Sequence, residues 1–297
     1  MRSLEETAAL VALLRTGRRF WHEVAELVEE EGSALHVLDR ELASHEEGTL
    51  FPDESAPERP NLDSISEEIQ AWLAEGIKIV TVLDETYPVN LRTIHDLPPL
   101  LFFYGDLRPE DEQSIAIVGT RHPTDAGREL AAEVATDLTK RGYVIVSGLA
   151  QGIDAAVHEA TVRADGRTVA VIGTGLHRSY PAQNKDLQSR LARESAVLSQ
   201  FWPDQPPTKR TFPMRNAVMS GFALATVVIE AKGKSGAKMQ ARLALEHGRP
   251  VFLPDSLVRE HDWAQEYARR PGTTVVSTAE EIAEHLDRRY NLVGLTA

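Results

Sequence analysis

Tyr143-Val-Ile-Val-Ser-Gly-Leu-Ala-Gln-Gly-Ile-Asp-Ala-Ala-Val-His158 is the stretch on which the reading of this chain turns. Tyr143 to Val146 are apolar or β-branched and stop abruptly at small residues, and from Ile153 the segment becomes rich in alanine. That order reads as a strand, a tight turn and a helix. Gly148 and Gly152 are expected to take positive φ and to let a ligand come close, while the helix start presents unpaired N–H groups to an anion. Many strand-to-helix turns carry glycine for steric reasons alone, so the meaning of this one depends on what flanks it.

On both sides the pattern repeats. Strand Ser114 to Val118 leads through Gly119-Thr120-Arg121 to a helix over Thr124 to Arg141, and Thr168 to Ile172 leads through Gly173-Thr174-Gly175 to a helix from Asn184. Ala196 to Gln200 is a short strand, Ala225 to Ile229 leads through Glu230 to a helix over Ser235 to His247, and Pro250 to Leu253 and Thr273 to Ser277 complete the set. Strands alternating with ten- to fifteen-residue helices predict a Rossmann-like α/β fold, with a mostly parallel sheet covered by helices on both faces. In such sheets ligands bind beyond the carboxyl ends of the strands. The dinucleotide fingerprint Gly-x-Gly-x-x-Gly and the Walker A motif are both missing, which argues against hydride transfer and nucleotide hydrolysis.

Upstream the character changes. Leu4, Ala8, Val11, Leu14 and then Phe20, Val24, Leu27, Val28 recur at helical spacing, with Gly17 and Gly32 as breaks. Ser44 to Asn61 is polar, contains three prolines and has no periodicity, so it reads as a linker. A helix over Ser64 to Ala74 follows, with Ser64 as its expected cap. The domain division expected is 1–76, an acidic helical, SAM-like unit with its linker, and 77–297, the Rossmann-like domain.

The net charge of −13 is concentrated in front: residues 1–76 hold 18 Asp/Glu against 6 Lys/Arg, net −12, leaving −1 for residues 77–297. Between Pro207 and Val251, 8 Lys/Arg face 2 Glu, a local net of +6, so whole-chain charge does not decide the partner. The absence of cysteine excludes disulfides, thiolate zinc sites and cysteine nucleophiles. No apolar run reaches membrane-span length and the start lacks a secretory signal core, so the expected location is the cytoplasm.

Four loops are expected to converge at the strand ends: Gly119 to Arg121, Gly148 to Asp154, Gly173 to His177, and Glu230 to Gly236. Arg121, directly after a strand and a glycine, could clamp a phosphate or form a salt bridge at the sheet edge. Asp154 and His158 share a helix face, so they could pair, and Asp154 could equally cap the helix. His177 and Tyr180 could stack on a base or fill their loop. In Phe212-Pro213-Met214-Arg215-Asn216, a helix beginning near Ala217 would hold Arg215 toward the same strand ends, with Asn216 as ligand contact or cap. Glu230 could accept from a ribose hydroxyl or neutralise Arg215. Lys232, Lys234 and Lys238, around the Ser235-Gly236 turn, suit a phosphate backbone or a solvated helix face.

With these residues assembled, the chain from about 78 to 288 resembles the DNA-processing protein A (DprA/Smf) family. The resemblance rests on Tyr87-Pro88 through Pro98-Pro99 and Gly105, Ile115 to Arg121, Ser147 to His158, Gly173 to Leu176 with Tyr180-Pro181 and Asn184, Phe212 to Asn216, Glu230-Ala231 with Ser235-Gly236, and Ala241 to Arg249. It implies a cytoplasmic, usually dimeric, non-catalytic protein that binds and protects single-stranded DNA and delivers it to a RecA-type recombinase in DNA uptake and recombination. No metal or cofactor is implied. By motif it assigns Arg121 and Arg215 to phosphate, with Lys238, or Lys232 and Lys234, as a basic surface; the DNA or phosphate site expected comprises Arg121, Gly148, Gln151, Gly152, Arg215, Asn216, Ser235, Gly236 and Lys238. Gln151, Met214 and Ala217 stand where the family usually has arginine, and the winged-helix tail of many relatives is not found, so a divergent member is expected. The rival readings are a nucleotide-ligand site of the same geometry, and a regulatory or antitoxin partner of a toxin protein in phage defence.

Overall fold

The computed structural model describes residues 3–47 and 59–291. The chain forms two compact units, one taking in residues up to Tyr87 together with His95–Phe102, the other Pro88–Ile94 and the residues from Phe103 onward.

The first unit holds α1 (Leu4–Thr16), α2 (Trp21–Glu31), α3 (Ala34–Glu47), α4 (Leu62–Ala74), β1 (Lys78–Thr81) and the start of β2 (Leu100–Gly105). Gly17 and Gly32, at φ 65 and 67, end α1 and α2 in the left-handed region, where a side chain would be strained. Glu6 on α1 accepts from Ser33 Oγ (2.7 Å) and Ala34 N (2.6 Å), so one helix caps the start of another. The cap of α4 is Asn61, whose Oδ1 accepts from Ser64 N at 3.0 Å; the helix therefore starts two residues before Ser64, the expected cap. The expected linker also shortens: α3 continues to Glu47, and residues 48–58 lie outside the described residues.

In the second unit the strands and helices alternate: β3 (Ser114–Val118), α5 (Asp125–Lys140), β4 (Val144–Ser147), α6 (Ile153–Arg163), β5 (Thr168–Val171), α7 (Lys185–Glu194), β6 (Ala196–Ser199), α8 (Thr211–Phe222), β7 (Ala225–Val228), α9 (Gly236–Glu246), β8 (Val251–Pro254), α10 (Asp255–Glu260), α11 (Asp262–Ala268), β9 (Thr273–Val276) and α12 (Ala279–Asn291). The seven strands β3–β9 pair in parallel in the order β6-β5-β4-β3-β7-β8-β9. Ile115, Ile117 and Ile145 pack under residues of α5, α6 and α12, while α8 packs against β3 and β5. The Rossmann-like α/β expectation holds, and its physical basis is the near-continuous apolar character of strands buried on both faces.

From β3 the chain builds the sheet one way to β6, then returns past β3 and builds the other way to β9. The order reverses at β3, which puts the ends of β3, β4 and β7 at the switch point where such sheets open a crevice. Helix α8 begins at Thr211, six residues before the expected Ala217, so Arg215 and Asn216 lie inside the helix and Asn216 caps nothing. Pro213 is tolerated because it falls in the first turn, where the missing N–H has no partner to lose. Helices α10, α11 and α12 were not expected. Among the described residues no helix is long and apolar enough to cross a membrane.

Candidate functional site

The turn after β4 is glycine-rich mainly because the protein packs against itself. Gly152 has φ 88, and a Cβ there would run into the backbone of Thr120 and Arg121. Gly148 does not take positive φ; the left-handed residue is Leu149, at φ 53. A Cβ on Gly148 would run into Arg215 Nη1 and sit 2.7 Å from Asp154 Oδ2. Both glycines therefore make room for protein groups at the strand ends.

Arg215, carried inward by α8, is only 7% exposed. Its Nε donates to Asn216 Oδ1 (2.9 Å) and its Nη1 to the carbonyls of Val171 (2.8 Å) and Gly148, tying the ends of β4 and β5 together. Nη2 has no protein acceptor among the described residues, and Arg215 lines the cleft described below. Asp154 is buried beside it and accepts from Ala150 N at 3.3 Å. Burial pushes the Asp154 carboxyl up from its usual range, opposed by Arg215 and by backbone N–H groups. Burial likewise pulls the Arg215 guanidinium down, with Asp154 opposing and Arg121 reinforcing.

His158 does not pair with Asp154. Its Nδ1 lies 2.8 Å from Thr168 Oγ1, which itself donates to Ile145 O at 2.7 Å, so Nδ1 carries the proton and the ring is a neutral donor. Desolvation holds its pKa down at about 3. Glu230 is also spent inside the protein: it accepts from Thr124 N (3.0 Å) and Thr124 Oγ1 (2.9 Å), holding the N-terminal turn of α5. It is therefore not the partner of Arg215, and that alternative is corrected.

Around this frame opens a cleft of ≈ 290 Å³ at the switch point, bounded by the β3 and β4 turns, α8, the loop after β7 and the start of α9. Arg121, Arg215, Asn216, Ser235 and Gly236 all border it, with Lys232 and Lys234. Arg121 and the two lysines are exposed, whereas Asp154 is the buried carboxylate in the wall. The Arg121 guanidinium lies over the Phe212 ring, 5.5 Å from its centroid, and no carboxylate pairs with it among the described residues. Tyr180, 42% exposed, leans on the same ring at 5.7 Å. Gly148 and Gln151 border an adjoining hollow of ≈ 80 Å³ that shares Arg121, Phe212 and Arg215 with the cleft.

Lys238 is separate: it lines a third hollow, of ≈ 450 Å³, together with Tyr267 of α11. Ser235 caps α9 by accepting from Lys238 N at 3.2 Å. Of the three positions where arginine was expected, Gln151 and Met214 (41% exposed) face outward, but Ala217 is 5% exposed and lies inside α8, so only two bear on the outer surface. Sequence reading missed α11 and with it the partners of Lys238. The spacing Trp263 to Tyr267, one helical turn, was the available signal.

A sequence profile described as DNA recombination-mediator protein A matches residues 78–287. The DNA processing protein DprA of Bacillus subtilis is 37% identical over 223 residues, which cover 74% of this chain and 75% of the relative. The protein of the same name from Streptococcus pneumoniae is 37% identical over 203 residues, 68% of this chain and 72% of the relative. The crystal structure of the S. pneumoniae protein superposes with a TM-score of 0.73 at 29% identity, covering 95% of this chain and 97% of that one. A Helicobacter pylori DNA processing protein A, solved to describe its single-stranded DNA binding mode, matches with a TM-score of 0.64 at 27% identity, over 72% of this chain and 97% of that one.

Proposed function

We propose, on the premise that this chain belongs to the DNA recombination-mediator protein A family, that it binds single-stranded DNA in the strand-end cleft of its larger unit. The observation that carries the proposal is Arg121, exposed and without a carboxylate partner among the described residues, within cation–π reach of Phe212 and beside the buried Arg215. A guanidinium within cation–π reach of a ring keeps N–H groups for a phosphate, and the neighbouring Tyr180 offers a face on which a base stacks. Arg215 then acts from behind, offering Nη2 to the same anion while holding Gly148 in place. Lys232 and Lys234 supply further charge for the strand.

No covalent step is assigned to the cleft. Within the same reading the protein protects the strand and passes it to a RecA-type recombinase, acting in the cytoplasm as a homodimer. The nucleotide reading is disfavoured by two engaged carboxylates: Glu230 serves Thr124, and Asp154 serves Ala150 and Arg215.

Fluorescence anisotropy with labelled oligonucleotide tests the proposal. Wild type is expected to bind, and Arg121→Ala to weaken binding by about tenfold with thermal stability unchanged, in line with a loss of about 1.4 kcal/mol for one charge-assisted contact. Wild-type affinity for single strands no better at low salt than at high salt, or full affinity in the variant, overturns it.

A further inference from the structure

Resting on that reading, we infer that Asp154 competes with the bound phosphate for Arg215, so that the protein takes up a proton at Asp154 as the strand binds. The carboxylate stands in the cleft wall with Arg215. The two side chains converge behind the β4 turn, where the position of a Gly148 Cβ lies 2.6 Å from Arg215 Cζ and 2.7 Å from Asp154 Oδ2. Yet no hydrogen bond joins them among the described residues. Arg215 Nε and Nη1 are spent on Asn216 and on the carbonyls of Gly148 and Val171, while Asp154 accepts from Ala150 N at 3.3 Å. Nη2 is left to the ligand. A phosphate there brings a second negative charge to a guanidinium that already faces one, in a wall that screens charge far less than water does.

The groups around Asp154 are poor rivals for that proton. Arg215 of α8 and Arg121 of the β3 turn are guanidiniums, and across the cleft stand the ammonium groups of Lys232 and Lys234. Helix α5 gives the core that it shares with α6 apolar residues, Ala131, Val134, Ala135 and Leu138. His158, one turn along α6, lies against Thr168 and has its pKa held down at about 3. Glu230 faces Thr124. Burial already lifts the Asp154 carboxyl above its usual range, with Arg215 and the N–H groups of Ala150, Gly148 and Gly119 opposing. A neighbouring phosphate lifts it further. Between the free and the bound value a proton is absorbed on binding, so affinity is highest at the acid end of that window and falls as pH rises through it.

Anisotropy at fixed salt, with an oligothymidylate of about twelve nucleotides and between about pH 5 and 8.5, compares wild type with Asp154→Asn, whose amide stands for the neutral acid. Wild-type affinity should fall with rising pH, at most about tenfold per pH unit, the limit for one proton. The variant should show no such fall and, at the alkaline end, bind about tenfold tighter than wild type, the order expected of one negative charge removed several ångströms from the phosphate. A merely structural Asp154 predicts the reverse, weaker binding in the variant. His122 and His177, exposed on neighbouring loops, are present in both proteins, so any share of theirs cancels. Calorimetry of wild type in two buffers of unlike ionisation heat counts the proton directly, whether or not the variant folds. Equal heats in the two buffers, a wild-type profile without slope, a variant that keeps the wild-type slope, or one that binds more weakly at every pH overturns the inference and leaves the cleft reading standing. If wild type binds the strand at no pH, the cleft reading falls, and the inference with it.

Discussion

Arg215 shows how one residue serves structure before ligand. Its side chain crosses from α8 to the ends of β4 and β5 and sits beside Asp154, a buried carboxyl that the guanidinium and backbone N–H groups together help to hold. Removing one member of a buried charged set leaves the other uncompensated. Arg215→Ala is therefore expected to cost about 3 kcal/mol or more, seen as a fall in thermal midpoint, and Asp154→Asn added to it should restore part of the loss. A midpoint unchanged in the single variant would mean that Arg215 is a ligand contact alone. His158 gives a pH signature. Its folded pKa, about 3, is depressed below the ordinary 6.5, so its contribution is complete above about 6.5 and is lost as pH falls toward 3, since the unfolded chain takes up a proton that the buried ring refuses. Near pH 5 that amounts to about 2 kcal/mol. Denaturant titrations at successive pH values should show the slope, and His158→Gln should flatten it.

At the scale of elements, what matters is which backbone ends are covered and by what. Helix α5 begins under Thr124 and the Glu230 carboxylate, so a residue at the end of β7 stabilises the helix after β3 and fixes one wall of the cleft. Glu230→Ala should lower stability by about 1 kcal/mol, the worth of a cap and dipole partner, without weakening DNA. A loss of DNA affinity as large as that of Arg121→Ala would return Glu230 to the ligand. Helix α8 makes a different point. Local reading places its start after Asn216, where Phe-Pro-Met looks like a turn. The helix instead begins at Thr211, because proline costs nothing in a first turn and because Arg215 must point inward from a regular helix to reach β4 and β5.

For the whole molecule, net charge is a poor guide to affinity. The acidic excess belongs to the first 76 residues, whereas Arg121, Lys232 and Lys234 border one cleft. Three neutralised phosphates of a single strand predict a log–log salt slope near −2, so affinity should drop roughly twentyfold between about 50 and 200 mM salt. A flat salt response would rule out phosphate-dominated binding despite the local charge.

The sequence by itself determined the alternation of strands and helices, the Ser114–Val118 boundaries, the helix start at Ile153, and the set of loops that meet at the strand ends. Those follow from local periodicity and from glycine punctuation, which neighbouring residues along the chain suffice to fix. Only the tertiary structure decided the roles. Whether Gly148 faces a ligand or Arg215, whether Glu230 meets a ribose or Thr124, and whether Lys238 stands in solvent or on Trp263 and Tyr267 depend on which elements are brought together from far apart. A charged side chain takes the partner that satisfies it at least cost once it is partly buried, and that partner is set by packing across the sheet rather than by position along the chain.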